Sequence, residues 1–161
     1  MSKLTKTETR ELILDECNIQ GIDLPTQQAY VLATVQWETA GTWQPVREAF
    51  WKSENWRKRN LRYWPYYGRG YVQLTWDWNY KKFSKILGMD LLNHPDDVMD
   101  PEISAFILVY GFKHGSFTGR GIDRYINAHK TDFYHARKCI NGMNKASKIA
   151  SIADVMLTKY F

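Results

Sequence analysis

For thirty residues, from Thr42 to Tyr71, the hydrophobic pattern of this chain has no period. An irregular stretch of that length is uncommon inside a compact domain, and where it occurs it is usually functional or mobile. On either side of it, apolar residues return at helical spacing. Thr7 to about Gln20 turns Leu12, Ile13 and Cys17 toward a core, with Gly21 as a stop. The run LPTQQAYVLATVQWETAG reads as a second helix, with Pro25 in its first turn and Gly41 just past its end. After the irregular stretch, Tyr71–Leu74 is long enough only for a very short strand. Thr75 is suited to cap a helix through WDWNYKKFSKIL, closed by Gly88. MDLLNHPDDVMD reads as a loop. Asp100-Pro101-Glu102 then opens ISAFILVYGFKHG, the best candidate for the central buried helix. TGRGIDRYIN and TDFYHARKCING read as two shorter helices. From about Lys145, Ile149, Ile152, Ala153, Met156, Leu157 and Tyr160 form an amphipathic stripe. The 161 residues show no repeat or linker, which predicts one mainly α domain over residues 1–161. Its β content should be at most a very small element.

The charge is concentrated in the same irregular stretch. Arg47, Lys52, Arg57, Lys58, Arg59, Arg62 and Arg69 are opposed there only by Glu48 and Glu54, an excess equal to the whole formal net charge of +5. Such a patch suits a polyanion or a solvated loop face equally well. No apolar run is long enough for a transmembrane helix, so no stable membrane insertion is expected. The N-terminal apolar stretch is only Leu12 to Leu14, which is no signal-peptide core, and retention in a cytoplasm is expected. Cys17 and Cys139 then read as free buried thiols. The four histidines show no metal-ligand spacing, and neither a metal nor another cofactor is expected.

All seven tryptophans fall between Trp37 and Trp78. Aromatic faces stack on sugar C–H faces and on nucleobases alike, although many of these rings are expected simply to form core. Among them stand Glu38 and Glu48, ten residues apart in VQWETAGTWQPVREAFW. Glu38 sits in the last turn of a largely buried helix. The negative end of the helix dipole and burial both raise a carboxyl pKa and favour its protonated form. Glu48 sits in a loop beside Arg47 and the basic patch, which favours ionisation. One protonated and one ionised carboxyl are what glycoside hydrolysis requires. Glu54 is the reserve candidate for the base.

The string GRGYVQLTWDWNY, Gly68 to Tyr80, resembles the GRGxxQLTxxxNY signature of the family 19 glycoside hydrolases, which comprise chitinases and bacteriophage endolysins with a lysozyme-like helical fold. WETAG matches the family's HETGG-like segment, Arg47-Glu48 its RE pair, and ARKCING (Ala136 to Gly142) its ARxIING segment. The resemblance implies Glu38 as general acid, Glu48 as general base, and Thr75 as the hydroxyl that helps to hold the attacking water. It implies Gln73, Asn79, Tyr67 and Arg69 near the sugar, Asn141 on the far wall, and Arg137 in support of the carboxylates. The family inverts, which implies carboxyl groups roughly 6.5–9.5 Å apart, with room for the water. Trp37 stands where the family usually has histidine and Ala40 where it often has glycine. The short segment after Glu38, and the absence of the plant enzymes' disulfide cysteines, resemble the phage branch.

On that resemblance the expected protein is a monomeric phage endolysin cleaving peptidoglycan glycan strands at the bond after N-acetylmuramic acid. It would be held in the host cytoplasm until released onto the periplasmic wall. The alternatives are a chitinase acting on N-acetylglucosamine polymers and a virion-associated peptidoglycan hydrolase. A glycan-binding protein without turnover is weakened by the presence of both glutamates and Thr75. Nucleic-acid binding through NWRKRNLRYW is not expected, and a salt-dependent affinity for single-stranded DNA would be its sign.

Overall fold

The computed structural model describes residues 3–161. Helix α1 (Lys6–Gln20) starts at a reciprocal cap. The Thr5 hydroxyl accepts from the Glu8 N–H at 3.1 Å, and the Glu8 carboxylate accepts from the Thr5 N–H at 2.9 Å. It stops at Gly21, whose φ of +85° suits a residue without a Cβ. Helix α2 (Pro25–Glu38) begins on Pro25 and ends on the predicted acid. Beyond it lie β1 (Val46–Arg47), α3 (Glu54–Asn60), β2 (Arg69–Gly70), α4 (Asp77–Leu87), α5 (Pro101–His114) and α6 (Ala146–Tyr160). Helix α2 packs mainly on α6, and α1 on α5, around one shared apolar core. The fold is thus mainly α with a two-stranded sheet, as the sequence predicts.

Four local expectations need correction. The central helix is α2 rather than α5, since every residue from Gln27 to Val35 is buried. Its buried Gln27, Gln28 and Thr34 are satisfied internally. Gln27 donates to the Ile126 carbonyl at 2.8 Å, Gln28 to Asn18 and Ile22, and the Thr34 hydroxyl to the Tyr30 carbonyl. The irregular stretch is also not wholly irregular, because Ser53 caps the short helix α3. MDLLNHPDDVMD likewise contains a 3₁₀ turn at Pro95–Met99. The two short helices predicted between Thr118 and Gly142 are only 3₁₀ turns, at Ile122–Arg124 and His135–Cys139. Between those turns the backbone pairs across a tight loop, with Asp132 N–H donating to the Tyr125 carbonyl and Ile126 bridging Thr131. Cys17 and Cys139 are free and buried, and burial pushes both thiols up to about 12.

The small sheet positions the site. Val46 pairs with Gly70 and Arg47 with Arg69, antiparallel. The strand thus lies two residues before the predicted Tyr71–Leu74. Tyr71 to Gln73 instead turn the chain, so that Leu74 comes back to exchange hydrogen bonds with Arg69 at 2.9 and 3.1 Å. Arg69 is only 2% exposed, and its guanidinium holds the turn together. It donates to Asp96 at 3.0 Å, to the Pro65 carbonyl at 2.8 Å and to the Tyr80 hydroxyl at 3.0 Å, and it lies 3.9 Å over the Tyr67 ring. A planar fork can serve three acceptors and a ring at once, which an ammonium cannot. Replacing Arg69 by Met should lower the unfolding free energy by roughly 2–4 kcal/mol, because buried acceptors lose their donor. Urea titration followed by circular dichroism measures this, and Arg69→Lys should not restore the loss.

Candidate active site

Glu38 closes α2 with its side chain 17% exposed. Burial pushes its carboxyl pKa up; the charge and hydrogen bond of Arg137 pull the other way without cancelling the rise. Arg137 comes from the His135–Cys139 turn, 99 residues along the chain, and its Nη1 donates to Glu38 Oε1 at 3.0 Å. Its Nε is fixed on the Asn144 carbonyl at 3.1 Å. Tyr30, wholly buried on α2 and close enough to feel the charges of Arg137 and Glu38, has a hydroxyl that finds no partner among the described residues. Trp37 packs against the core, with the α6 ammonium of Lys148 5.9 Å over its ring. The indole that replaces the family histidine is thus held on the α6 side.

Glu48 follows β1 and is held by groups other than those the sequence points to. Its Oε1 accepts from the Tyr63 hydroxyl at 2.5 Å and its Oε2 from the Gly68 N–H at 3.0 Å. Its own N–H donates back to the Gly68 carbonyl at 2.7 Å. Arg47 pairs instead with Asp96 at 3.3 Å, as expected when successive strand residues point to opposite faces. Arg57 is buried and serves the Glu48 and Ala49 carbonyls, so neither arginine bonds the Glu48 carboxylate. Burial and the bond to Glu48 raise the pKa of Tyr63, which keeps its phenol a donor. Tyr63 was missed in sequence because it lies where no period marks it. Its ring also starts an aromatic wall, 4.8 Å from Trp76, which stacks at 4.8 Å on Trp78. Trp78 is 58% exposed.

Gly68 explains why the GRG string belongs here. A Cβ on it would lie 2.8 Å from the Gln73 side-chain oxygen and 3.2 Å from the Thr75 hydroxyl. The N–H that holds the base therefore adjoins Thr75 and Gln73 directly. Thr75 does not cap α4. Its hydroxyl donates to the Gln73 carbonyl at 2.8 Å, and the helix starts after Trp76, whose φ is +77°. Gln73 spends its amide N–H groups on the Val46 and Gly70 carbonyls, at 2.9 and 3.2 Å, tying the two strands. Asn79 donates to the Thr75 carbonyl at 2.9 Å. Asn141 is exposed just beyond Arg137, whose carbonyl accepts its N–H.

Three candidates are corrected. Arg69 and Tyr67 are buried supports, with the Tyr67 hydroxyl donating to Glu54 at 3.0 Å, so neither offers a surface to a glycan. Glu54 is equally occupied, accepting also from Arg57 at 3.3 Å and from the Trp64 indole at 3.1 Å. Among the described residues, no group of three or more His, Cys, Asp or Glu side chains is placed to hold a metal ion. A cavity of about 710 Å³ lies beside β1, lined by Leu4, Pro45, Val46, Arg47, Phe50 and Pro101 among others, and includes neither glutamate. The carboxylate chemistry, and not the cavity, marks the site.

The sequence profile of the Chitinase class I family, glycoside hydrolase family 19, matches residues 28–115. That span holds Glu38, Glu48, Gly68 and Thr75, and leaves out Arg137 and Asn141. The chain is similar to Basic endochitinase B of Arabidopsis thaliana, 49% identical over 41 residues, 26% of this chain and 12% of that protein. It is equally similar to Inactive chitinase-like protein 1 of Hevea brasiliensis, 49% identical over 41 residues, 26% of this chain and 13% of that one. The matched stretch is thus about an eighth of either relative's length. In fold it is similar to a bacterial family 19 chitinase, with a TM-score of 0.68 at 22% identity, covering 93% of this chain and 83% of that one. A match over more than half the chain places it: the protein belongs to glycoside hydrolase family 19, the class I chitinases.

Proposed function

We propose that this protein is an inverting glycoside hydrolase that cleaves bonds between N-acetylhexosamine units. The observation that carries the proposal is the contrast between its two carboxyl groups. Glu38 is half-buried with its pKa raised, while Glu48 is fixed at both oxygens by hydrogen-bond donors. In the proposed reaction the Glu38 carboxyl gives its proton to the glycosidic oxygen as the bond to the anomeric carbon breaks. Glu48 takes a proton from a water that attacks that carbon from the opposite face. Thr75, beside Gly68, is the hydroxyl proposed to help orient the water. Arg137 then stabilises the Glu38 carboxylate until solvent returns the proton. Exposed Trp78 and Asn141, with half-buried Asn79, are the proposed contacts to sugar.

For the substrate, the relatives named as endochitinases favour an N-acetylglucosamine polymer over the peptidoglycan that the sequence reading puts first. One observation keeps peptidoglycan as a second reading, namely the basic excess between Gly41 and Gly70, which suits an anionic envelope. On that reading the chain acts as a monomeric endolysin or virion component, kept in the host cytoplasm and then delivered to the wall.

Two experiments test the mechanism. Wild type, Glu38→Gln and Glu48→Gln are incubated with chitin oligomers and with purified peptidoglycan, and products are read by mass spectrometry. Either variant should lose on the order of 10²–10⁴ in rate with an unchanged circular dichroism spectrum. A Glu38→Gln enzyme near wild-type rate would remove Glu38 as the acid. Product mass and reducing end tell the two substrates apart.

The second experiment is a pH profile. Activity should fall as pH rises through the Glu38 pKa, because the acid must carry its proton. Arg137 lowers that pKa, so Arg137→Met should move the basic limb to higher pH while reducing kcat by about tenfold. A limb that stayed in place or moved down would show that Arg137 does not act on this proton.

A further inference from the structure

Residues 50–62 present a surface that takes no part in the proposed acid–base chemistry, although its cations belong to the basic excess that the peptidoglycan reading invokes. At the tip of the turn after Glu48, Phe50 is 48% and Trp51 71% exposed, packed edge to face with their rings 5.2 Å apart. The turn is braced from beneath, because Lys52 N–H and Arg57 Nη2 both donate to the Ala49 carbonyl. The braced turn thus leaves the apolar surface of two adjoining rings, Trp51 most of all, in water. Helix α3 follows at once. Asn55, Lys58, Arg59 and, just past its end, Arg62 recur at the spacing of one helical face, and all are exposed. Among the described residues none of Lys52, Lys58, Arg59 and Arg62 takes part in an ion pair. Glu54, the acid of this stretch, is already paired with buried Arg57. Lys52 and Lys58 lie 5.5 and 5.1 Å over the rings of Trp56 and Trp64, so their charges ride on amphipathic indoles.

We propose that this face docks the protein, peripherally, on a bilayer surface rich in anionic phospholipid. Four cations meet the phosphate layer, and Phe50 and Trp51 enter the boundary between headgroups and acyl chains. Charge complementarity argues for the phosphates. The exposed ring pair argues for a lipid boundary rather than a soluble polyanion, which would leave both rings in water. Among the described residues no helix is long and apolar enough to cross a membrane, so the contact is superficial. Arg57 ties this surface to the Glu48 backbone at 2.8 Å, so docking would hold the base at a fixed place relative to the bilayer. The proposal does not depend on turnover.

The test is flotation of the whole protein with vesicles of phosphatidylcholine alone and of phosphatidylcholine mixed with phosphatidylglycerol. Binding should require phosphatidylglycerol and be released by high salt. Lys58→Ser combined with Arg59→Ser should weaken it roughly 25-fold, from about a fivefold loss per cation. Trp51→Ser should weaken it about tenfold. These residues are exposed, so the variants should fold, and they should hydrolyse soluble N-acetylglucosamine oligomers as wild type does. Equal flotation with both vesicles at low salt overturns the proposal. So does an undiminished affinity of Trp51→Ser, which would mark the surface as a site for soluble polyanions. For the wild-type protein, failure to float with phosphatidylglycerol vesicles despite intact hydrolysis overturns the docking surface alone, and failure to hydrolyse despite intact flotation overturns the enzymatic reading alone.

Discussion

The ion pair between Glu38 and Arg137, 3.0 Å long and joining residues 99 apart, sets the terms for the rest of the structure. A carboxyl at the end of the most enclosed helix of the core loses solvation, which favours its proton. A guanidinium alongside favours the anion. A general acid needs both tendencies in balance, because it must hold a proton before the reaction and survive as an anion after it. Arg137 can supply its share only if α6 and the turn before it close onto α2, so completing the acid requires completing the core.

The opposite wall is built from backbone. Gly68 holds Glu48 by hydrogen bonds in both directions and has no side chain to push Thr75 and Gln73 away. Buried Arg69 fixes the turn that carries Gly68, and buried Arg57 fixes the carbonyls that follow Glu48. Arg57 and Arg69, two cations of the basic stretch around the base, thus serve as its scaffold. Tyr63 supplies the donor and links the base to the aromatic wall that ends in Trp78.

Helix ends and the two catalytic candidates were readable from local chemistry. Pro25, Gly21, Gly88 and Asp100 act within one turn of themselves, so their meaning does not depend on the rest of the chain. Glu38 could be placed because helix ends and burial are both visible in periodicity. The partners of Glu48 could not, since Tyr63 and Gly68 meet it 15 and 20 residues away across a segment without a period. Tyr67 and Arg69 were misplaced for the same reason. A polar residue in a motif looks exposed until tertiary contacts supply its acceptors, as Glu54, Asp96 and Tyr80 do here.

If the two carboxyl groups divide the work as acid and base, water must enter from the face opposite the departing sugar. The anomeric configuration of the newly formed reducing end reports this most directly. Proton NMR during the first turnovers on an N-acetylglucosamine oligomer should show the anomer inverted relative to the bond that was cleaved, before mutarotation mixes the two forms. Initial accumulation of the retained anomer would contradict the assignment of Glu48 as a base acting on water.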